Sequence, residues 1–325
     1  MKKIAVLAGG YSSEYGISLN SADQVIRHLD RKRYEPYLIL ITKDLWYWES
    51  PEGERIPVDR NDFSLRRGEE RIRFDGVLII IHGTPGEDGK LQSYFELLEI
   101  PYAGCDSFVS ALTFNKYACK VFLEKYHIAT APSLRIRYRR GWVAPDTGGM
   151  HYPLFVKPNT SGSSFGVSRV EEPSGLTAAI RKAFEESEEV IIEEFIAGTE
   201  VSCGVLKTAT HEIVFPPTEI VSKKDFFDYE AKYTEGMAEE ITPARLPEDK
   251  LDKIRETASF IYSALGCRGV VRVDFILQEH TPYFLEINTI PGLSKESIIP
   301  RQAQVARLSM QEMLNIILEE LFTQR

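Results

Sequence analysis

Arg272, Asp274, Glu286 and Asn288 have types and a spacing that can do chemistry. If residues 278–282 turn the chain and Leu277 faces Tyr283, Asp274 lies opposite Glu286 and Arg272 opposite Asn288. Strand side chains alternate, so all four then point to one face. Two carboxylates directly across an antiparallel pair repel. A divalent cation between them removes the repulsion, and Mg²⁺ favours a few carboxylates together with substrate phosphates. The pattern by itself also suits a solvent-exposed hairpin. The adjoining turn Ile287-Asn-Thr-Ile-Pro-Gly292 favours the metal reading, because it sets backbone N–H groups beside the polar face.

Three more stretches carry candidates. Lys157-Pro-Asn-Thr-Ser-Gly-Ser-Ser-Phe-Gly166 joins a lysine to a Gly/Ser run whose amides can converge on an anion. The lysine precedes the glycines, the reverse of a P-loop, so a Gly/Ser hairpin over phosphates fits better. Gly9-Gly10-Tyr-Ser-Ser-Glu14 lacks the GxGxxG spacing of a dinucleotide site. Its acid can hold an ammonium group or complement a helix N-terminus. His82-Gly-Thr-Pro-Gly-Glu-Asp-Gly89 follows an apolar run, where open α/β sheets place ligands.

The elements that must position these residues can be read from periodicity. Ile4–Ala8, Tyr37–Ile41 and Val77–Ile81 are near-continuously apolar, the pattern of a parallel sheet covered on both faces. Ala22, Val25, Ile26 and Leu29 fall on one helix face. Strands at Leu154–Lys157, Gly166–Val170 and Val190–Phe195, with a helix near Leu176–Glu186, make an α+β unit. Strands follow near Val201–Leu206 and Glu212–Ile220, then a polar segment, Asp225–Glu240, without helical or strand period. Such a loop inside a compact protein is a working lid or disordered. A helix at Asp249–Leu265 and strands at Val270–Leu277 and Tyr283–Asn288 come next. The closing helix starts at Ser309 with Glu312 three residues on, a capping box.

Composition bounds the class. The 325 residues carry a net charge of −9, which disfavours nucleic-acid binding even beside the run Arg135, Arg137, Arg139, Arg140. No apolar run spans a bilayer and no signal peptide opens the chain. The four cysteines form no CxxC pair and are expected as buried thiols of a reduced compartment. The expectation is a cytoplasmic α/β protein.

In their order along the chain, Gly9–Ser18, HGTPGEDG at 82–89, Lys157–Gly166, Tyr229-Glu-Ala-Lys-Tyr233, Arg272-Val-Asp274 and Glu286-Ile-Asn-Thr-Ile-Pro-Gly292 resemble the D-alanine–D-alanine ligases. These are ATP-grasp enzymes, and the resemblance runs over about residues 1–322. It implies an N-terminal open parallel-sheet (pre-ATP-grasp) domain, residues 1–113, followed by two α+β lobes of an ATP-grasp fold. The central lobe would span 114–200 and the C-terminal lobe 201–325, with a mobile lid at about 222–240. The implied activity is ATP-driven joining of two D-alanines through an acyl phosphate, for peptidoglycan synthesis.

The resemblance assigns roles residue by residue. Lys116, Lys157 and Lys232 would neutralise ATP phosphates, and Asp274, Glu286 and Asn288 would hold two Mg²⁺, with Mn²⁺ as an alternative. Arg272 and the Gly292 amide would stabilise the oxyanion. Glu14 would pair with the first D-Ala ammonium near His82; Ser297 and the Ile298 amide would take the second carboxylate. Tyr233, Ser163 and Glu14 match a trio that locks the lid and excludes water. Adenine would lie against Glu193, Glu194, Phe195 and Ile196 beside Phe226, with Glu200 on the ribose. Relatives are commonly homodimers.

The sequence departs from the family pattern at Tyr15 and Gly16, where His and Glu are usual, at Glu194, where Lys is common, and at Ile290. Tyr233 favours a dipeptide over a D-alanyl-D-lactate product, since makers of the ester carry Phe or a different loop there. A ligase using another acceptor, a nucleotide-binding protein without turnover and a dinucleotide-dependent oxidoreductase are the competing readings. The missing GxGxxG weakens the last.

Overall fold

The computed structural model describes residues 1–50, 52–162, 165–222 and 238–323. Its first part contains β1 (Lys2–Gly9), α1 (Tyr15–His28), β2 (Tyr34–Ile41), β3 (Trp46–Glu49), β4 (Arg55–Asp59), β5 (Ser64–Arg67), β6 (Glu70–Ile72), β7 (Gly76–Ile79), α2 (Lys90–Leu97) and β8 (Tyr102–Ala103). These strands make one sheet in the order β6-β5-β4-β3-β2-β1-β7-β8. The apolar runs pair in parallel as expected, β1 between β2 and β7. The sheet also extends through β3–β6 as an antiparallel meander that the sequence reading did not anticipate. Trp46, Trp48, Phe63 and Leu65 of that meander are buried. Strand order reverses between β1 and β7, and ligands of open α/β sheets bind at the carboxyl ends of the strands at such a point.

Helices α3 (Ser107–Phe114) and α4 (Lys116–Glu124) lead to a second sheet. Asp106 caps α3 and Asn115 caps α4, each accepting a backbone N–H three residues on. The second sheet comprises β9 (Ser133–Arg137), β10 (Leu154–Pro158), β11 (Ser168–Val170) and β12 (Glu189–Glu194), covered by α5 (Pro173–Phe184). All its pairings are antiparallel, in the order β11-β10-β12-β9. Asn159, fully buried at the end of β10, ties this sheet to α4. Its Oδ1 accepts from Tyr117 N at 2.9 Å and its Nδ2 donates to Asn115 Oδ1 at 2.9 Å.

The third sheet holds β13 (Thr199–Lys207), β14 (Glu212–Val214), β15 (Thr218–Ser222), β16 (Ala238–Ile241), β17 (Gly269–Gln278) and β18 (Thr281–Asn288), with α6 (Glu248–Leu265) between β16 and β17. Two sequence expectations change here. The single strand expected at Glu212–Ile220 is two, because neither Pro216 nor Pro217 has an N–H to donate to a ladder. Residues 238–240, expected as aperiodic lid, pair with β15 as β16. The rest of the expected lid, 223–237, lies outside the described residues.

After α7 (Ile298–Val305), helix α8 (Met310–Thr323) closes the chain. Its capping box forms: Ser309 N donates to Glu312 Oε2 at 2.8 Å and Glu312 N to Ser309 Oγ at 3.2 Å. The buried face of Met313, Leu314, Ile317 and Leu318 is not confined to the third sheet, whose Leu206 and Val270 share its core. It shares a core with Ile4, Val6, Ala22 and Val25, so the last helix covers the first sheet.

Candidate active site

The strand pair β17–β18 meets with Asp274 opposite Glu286 and Arg272 opposite Asn288. The turn is not the expected one. Gln278 pairs with Thr281, so the loop is only Glu279-His280, and Leu277 faces Pro282 rather than Tyr283. A bulge between Asp274 and Phe275, where Phe275 faces Phe284, restores the register at the polar end.

Each carboxylate of this pair has a cation. Arg272 Nε and Nη2 donate to Asp274 at 2.8 and 2.7 Å, and Ser202 Oγ donates to it at 2.6 Å. Lys116 Nζ lies 2.9 Å from Glu286 Oε2 and donates to the Ser161 carbonyl at 2.8 Å. Burial opposes both positive charges, yet Glu286 holds Lys116 above the ordinary lysine value and Asp274 does the same for Arg272. The Asn288 amide, oriented to satisfy both neighbours, donates to Glu87 Oε1 at 2.8 Å and accepts from Arg272 Nη2 at 2.9 Å.

These groups line a cavity of about 910 Å³ between the sheets. From the first sheet come Glu14, which precedes α1, and His82 and Glu87, which follow β7. His82 is held between elements: its Nδ1 is 2.9 Å from the Ile290 carbonyl and its Nε2 3.3 Å from Ser21 Oγ. The Ile290 carbonyl can only accept, so Nδ1–H donates to it, and in the neutral ring Nε2 accepts from Ser21 Oγ, which itself accepts from Leu293 N at 3.2 Å. Glu87 was not singled out from the sequence, although it stands inside the quoted 82–89 stretch. Burial, with Glu14 nearby, pushes its carboxyl up to about 8, partly offset by the Gly83 N–H at 2.6 Å. A Cβ on Gly162 would lie 2.5 Å from Glu14 Oε2, so the Gly/Ser loop presses on that acid.

The second sheet contributes Lys157, Glu193, Glu194, Phe195 and Ile196, and β13 contributes Glu200. Lys157 Nζ is 2.6 Å from Glu193 Oε2. The other oxygen of Glu193 is held by Lys120, which the sequence reading missed. Its one signal was a lysine four residues after Lys116, between the buried Cys119 and Leu123. Burial pulls Lys120 down to about 8; Glu193, although buried, is held at about 2 by the two ammoniums. Glu194 Oε1 accepts from His151 N at 2.9 Å.

Gly292, Ser297 and Ile298 complete the wall. Ser297 is the residue before α7, and its Oγ lies 2.8 Å from Ser294 Oγ. Ser163, Phe226, Lys232 and Tyr233 lie outside the described residues. Asp274, Glu286 and Asn288 offer oxygen donors on one cavity face. No group of three or more His, Cys, Asp or Glu placed to hold a metal occurs among the described residues. Two carboxylates and an amide oxygen are too few for an all-protein cage, and such a donor set fits a Mg²⁺ that also takes oxygens from a phosphate ligand. Cations, carboxylates and backbone amides together suit binding and transfer of a phosphoryl group.

Comparison with known proteins places this chain in a family. The model described as "D-ala D-ala ligase N-terminus" matches residues 3–105, and that for the C-terminus matches 131–319. A "D-alanine--D-alanine ligase" of Azobacteroides pseudotrichonymphae genomovar. CFP2 is 45% identical over 99% of this chain and 100% of its own length. The solved VanG D-Ala:D-Ser ligase from Enterococcus faecalis is 35% identical with a TM-score of 0.87, covering 98% of this chain and 99% of that one. A D-alanine–D-alanine ligase from Bacillus anthracis complexed with ATP is 26% identical with a TM-score of 0.80, covering 99% and 98%. The fold is that of an α/β ligase. The chain belongs to the D-alanine–D-alanine ligase family.

Proposed function

We propose that this chain joins two D-alanines to D-alanyl-D-alanine at the expense of ATP, supplying peptidoglycan synthesis in the cytoplasm. The observation that carries the reading is the Asp274–Glu286 pair, each acid balanced by a cation and both facing one cavity. In this reading the chain works as three units, 1–113, 114–200 and 201–325. Homodimers of the family suggest the same assembly here. No helix among the described residues is long and apolar enough to cross a membrane.

Adenine lies along Glu193–Ile196 with its ribose at Glu200, and Lys116 and Lys157 face the phosphates. Asp274, Glu286 and Asn288 would hold Mg²⁺, which neutralises phosphate charge when bound. Glu14 takes the ammonium of the first D-alanine, beside His82. The carboxylate of that substrate attacks the γ-phosphorus, giving ADP and an acyl phosphate. Ser297 and the Ile298 amide, at the N-terminus of α7, hold the carboxylate of the second D-alanine. Its amine attacks the acyl carbon, Arg272 and the Gly292 amide stabilise the oxyanion, and phosphate leaves.

The test is phosphate release from Mg-ATP with D-alanine, alongside L-alanine, D-alanine with D-serine and D-alanine with D-lactate, with product masses. Phosphate release and a dipeptide mass with D-alanine alone are expected. Release only with a second acceptor would overturn the D-alanine assignment and keep the ligase chemistry. The VanG relative makes D-serine the informative competitor.

A further inference from the structure

Among the described residues Lys157 has one carboxylate partner and, on the nucleotide reading above, a second partner in the substrate. Its ammonium is 2.6 Å from Glu193, and it cannot stay there fully while neutralising a phosphate. Glu193 is buried inside the second sheet, with a side chain only 4% exposed. A buried carboxylate that loses its only cation is strongly destabilised. Lys157 alone would therefore be tethered to the wall.

Lys120 changes that balance. It lies behind the wall, does not line the cavity, and has a side chain 1% exposed. It bonds the Glu193 oxygen that Lys157 does not use. Helix α4 carries it at four residues from Lys116, so one helix aims two ammoniums at two different carboxylates, Glu286 and Glu193. Asn159 clamps the start of that helix to the end of β10, the strand that bears Lys157. The three charged groups thus keep a fixed spacing.

We propose that Lys120 is a positioning residue of the nucleotide site: it is the standing partner of Glu193, which frees Lys157 to exchange that carboxylate for a nucleotide phosphate. The inference rests on the nucleotide reading. It concerns ligands with phosphate, since the exchange happens only when a phosphate arrives. A bare nucleoside leaves Lys157 where it is.

The experiment is calorimetric binding of ADP with Mg²⁺, and separately of adenosine, to wild type, Lys120→Met, Lys120→Arg, Glu193→Gln and the double variant Lys120→Met/Glu193→Gln. Lys120→Met should weaken ADP by roughly tenfold or more and leave adenosine within roughly twofold. Lys120→Arg should restore ADP binding. On the Glu193→Gln background, where no anion can be stranded, Lys120→Met should cost ADP nothing further. Lys120→Met keeps the Lys157–Glu193 pair; should it still fail to fold, Lys120→Gln serves the same comparison. Equal loss of ADP and adenosine, or an equal loss with Gln at position 193, would mean Lys120 only supports the wall and overturns the proposal. Unchanged ADP binding in Lys120→Met overturns it too. A wild type that does not bind ADP overturns the nucleotide reading, and this inference with it.

Discussion

Lys116, Lys157 and Arg272 each reach the cavity already paired with a carboxylate, and that sets what substitutions there should do. Glu286→Gln keeps the shape of the side chain and removes the charge that faces Asp274. Turnover should disappear while the chain still unfolds in one cooperative transition; full activity in this variant would mean the metal assignment is wrong. Glu193 makes a prediction in acid. Its folded carboxyl sits at about 2, below the ordinary 4.5, so the unfolded chain binds the extra proton between those values. Stability from this group is therefore complete above about 4.5 and is lost as pH falls toward about 2. Urea midpoints of wild type and Glu193→Gln should converge over that range; a constant gap would exclude the linkage. The family resemblance put Glu193 on the strand expected to face adenine. It could not show Lys120 as its partner, because that contact spans 73 residues.

At the scale of elements, the polar face of β17–β18 was legible because alternation fixes which side chains share a face. Its turn was not. Gln278-Glu-His-Thr281 has none of the Gly or Asn that mark two-residue hairpins, and Glu279 adopts φ 52° without them. The bulge absorbs the one-residue error before it reaches Asp274. The seat of α7 was equally hidden. Gly204 of β13 leaves room for it: a Cβ there would meet Ile299 Cδ1 at 2.6 Å and Gln302 Oε1 at 2.7 Å. Gln302 accepts from Gly204 N at 3.0 Å and donates to the Ser202 carbonyl and Thr218 Oγ1 at 2.9 Å each. Gly204→Ala should lower stability by about 1–3 kcal/mol through overpacking. It should also raise the KM for the acceptor D-alanine, because α7 begins at Ser297 and Ile298. Unchanged urea midpoint and KM would show that α7 does not depend on this contact.

Across the whole molecule, the order of motifs predicted three units but not which ends of the chain meet. Periodicity showed that α8 has an apolar face; only the fold shows that the face covers β1 and α1. Burying Met313, Leu314, Ile317 and Leu318 is worth roughly 1.5–3 kcal/mol apiece before conformational entropy is deducted. That sum is comparable to the entire stability of a domain, about 5–15 kcal/mol. A chain ending at residue 308 should lose cooperative unfolding in the first sheet, seen as early exchange of the amides in β1 and β7. Protection equal to wild type would show that this face needs no cover. The same packing bears on synthesis. A ribosome makes the first sheet early, but its cover follows only after the second and third sheets. The nascent chain must therefore carry an uncovered apolar face until both of those sheets have emerged. The first sheet, made first, is then finished only after the third.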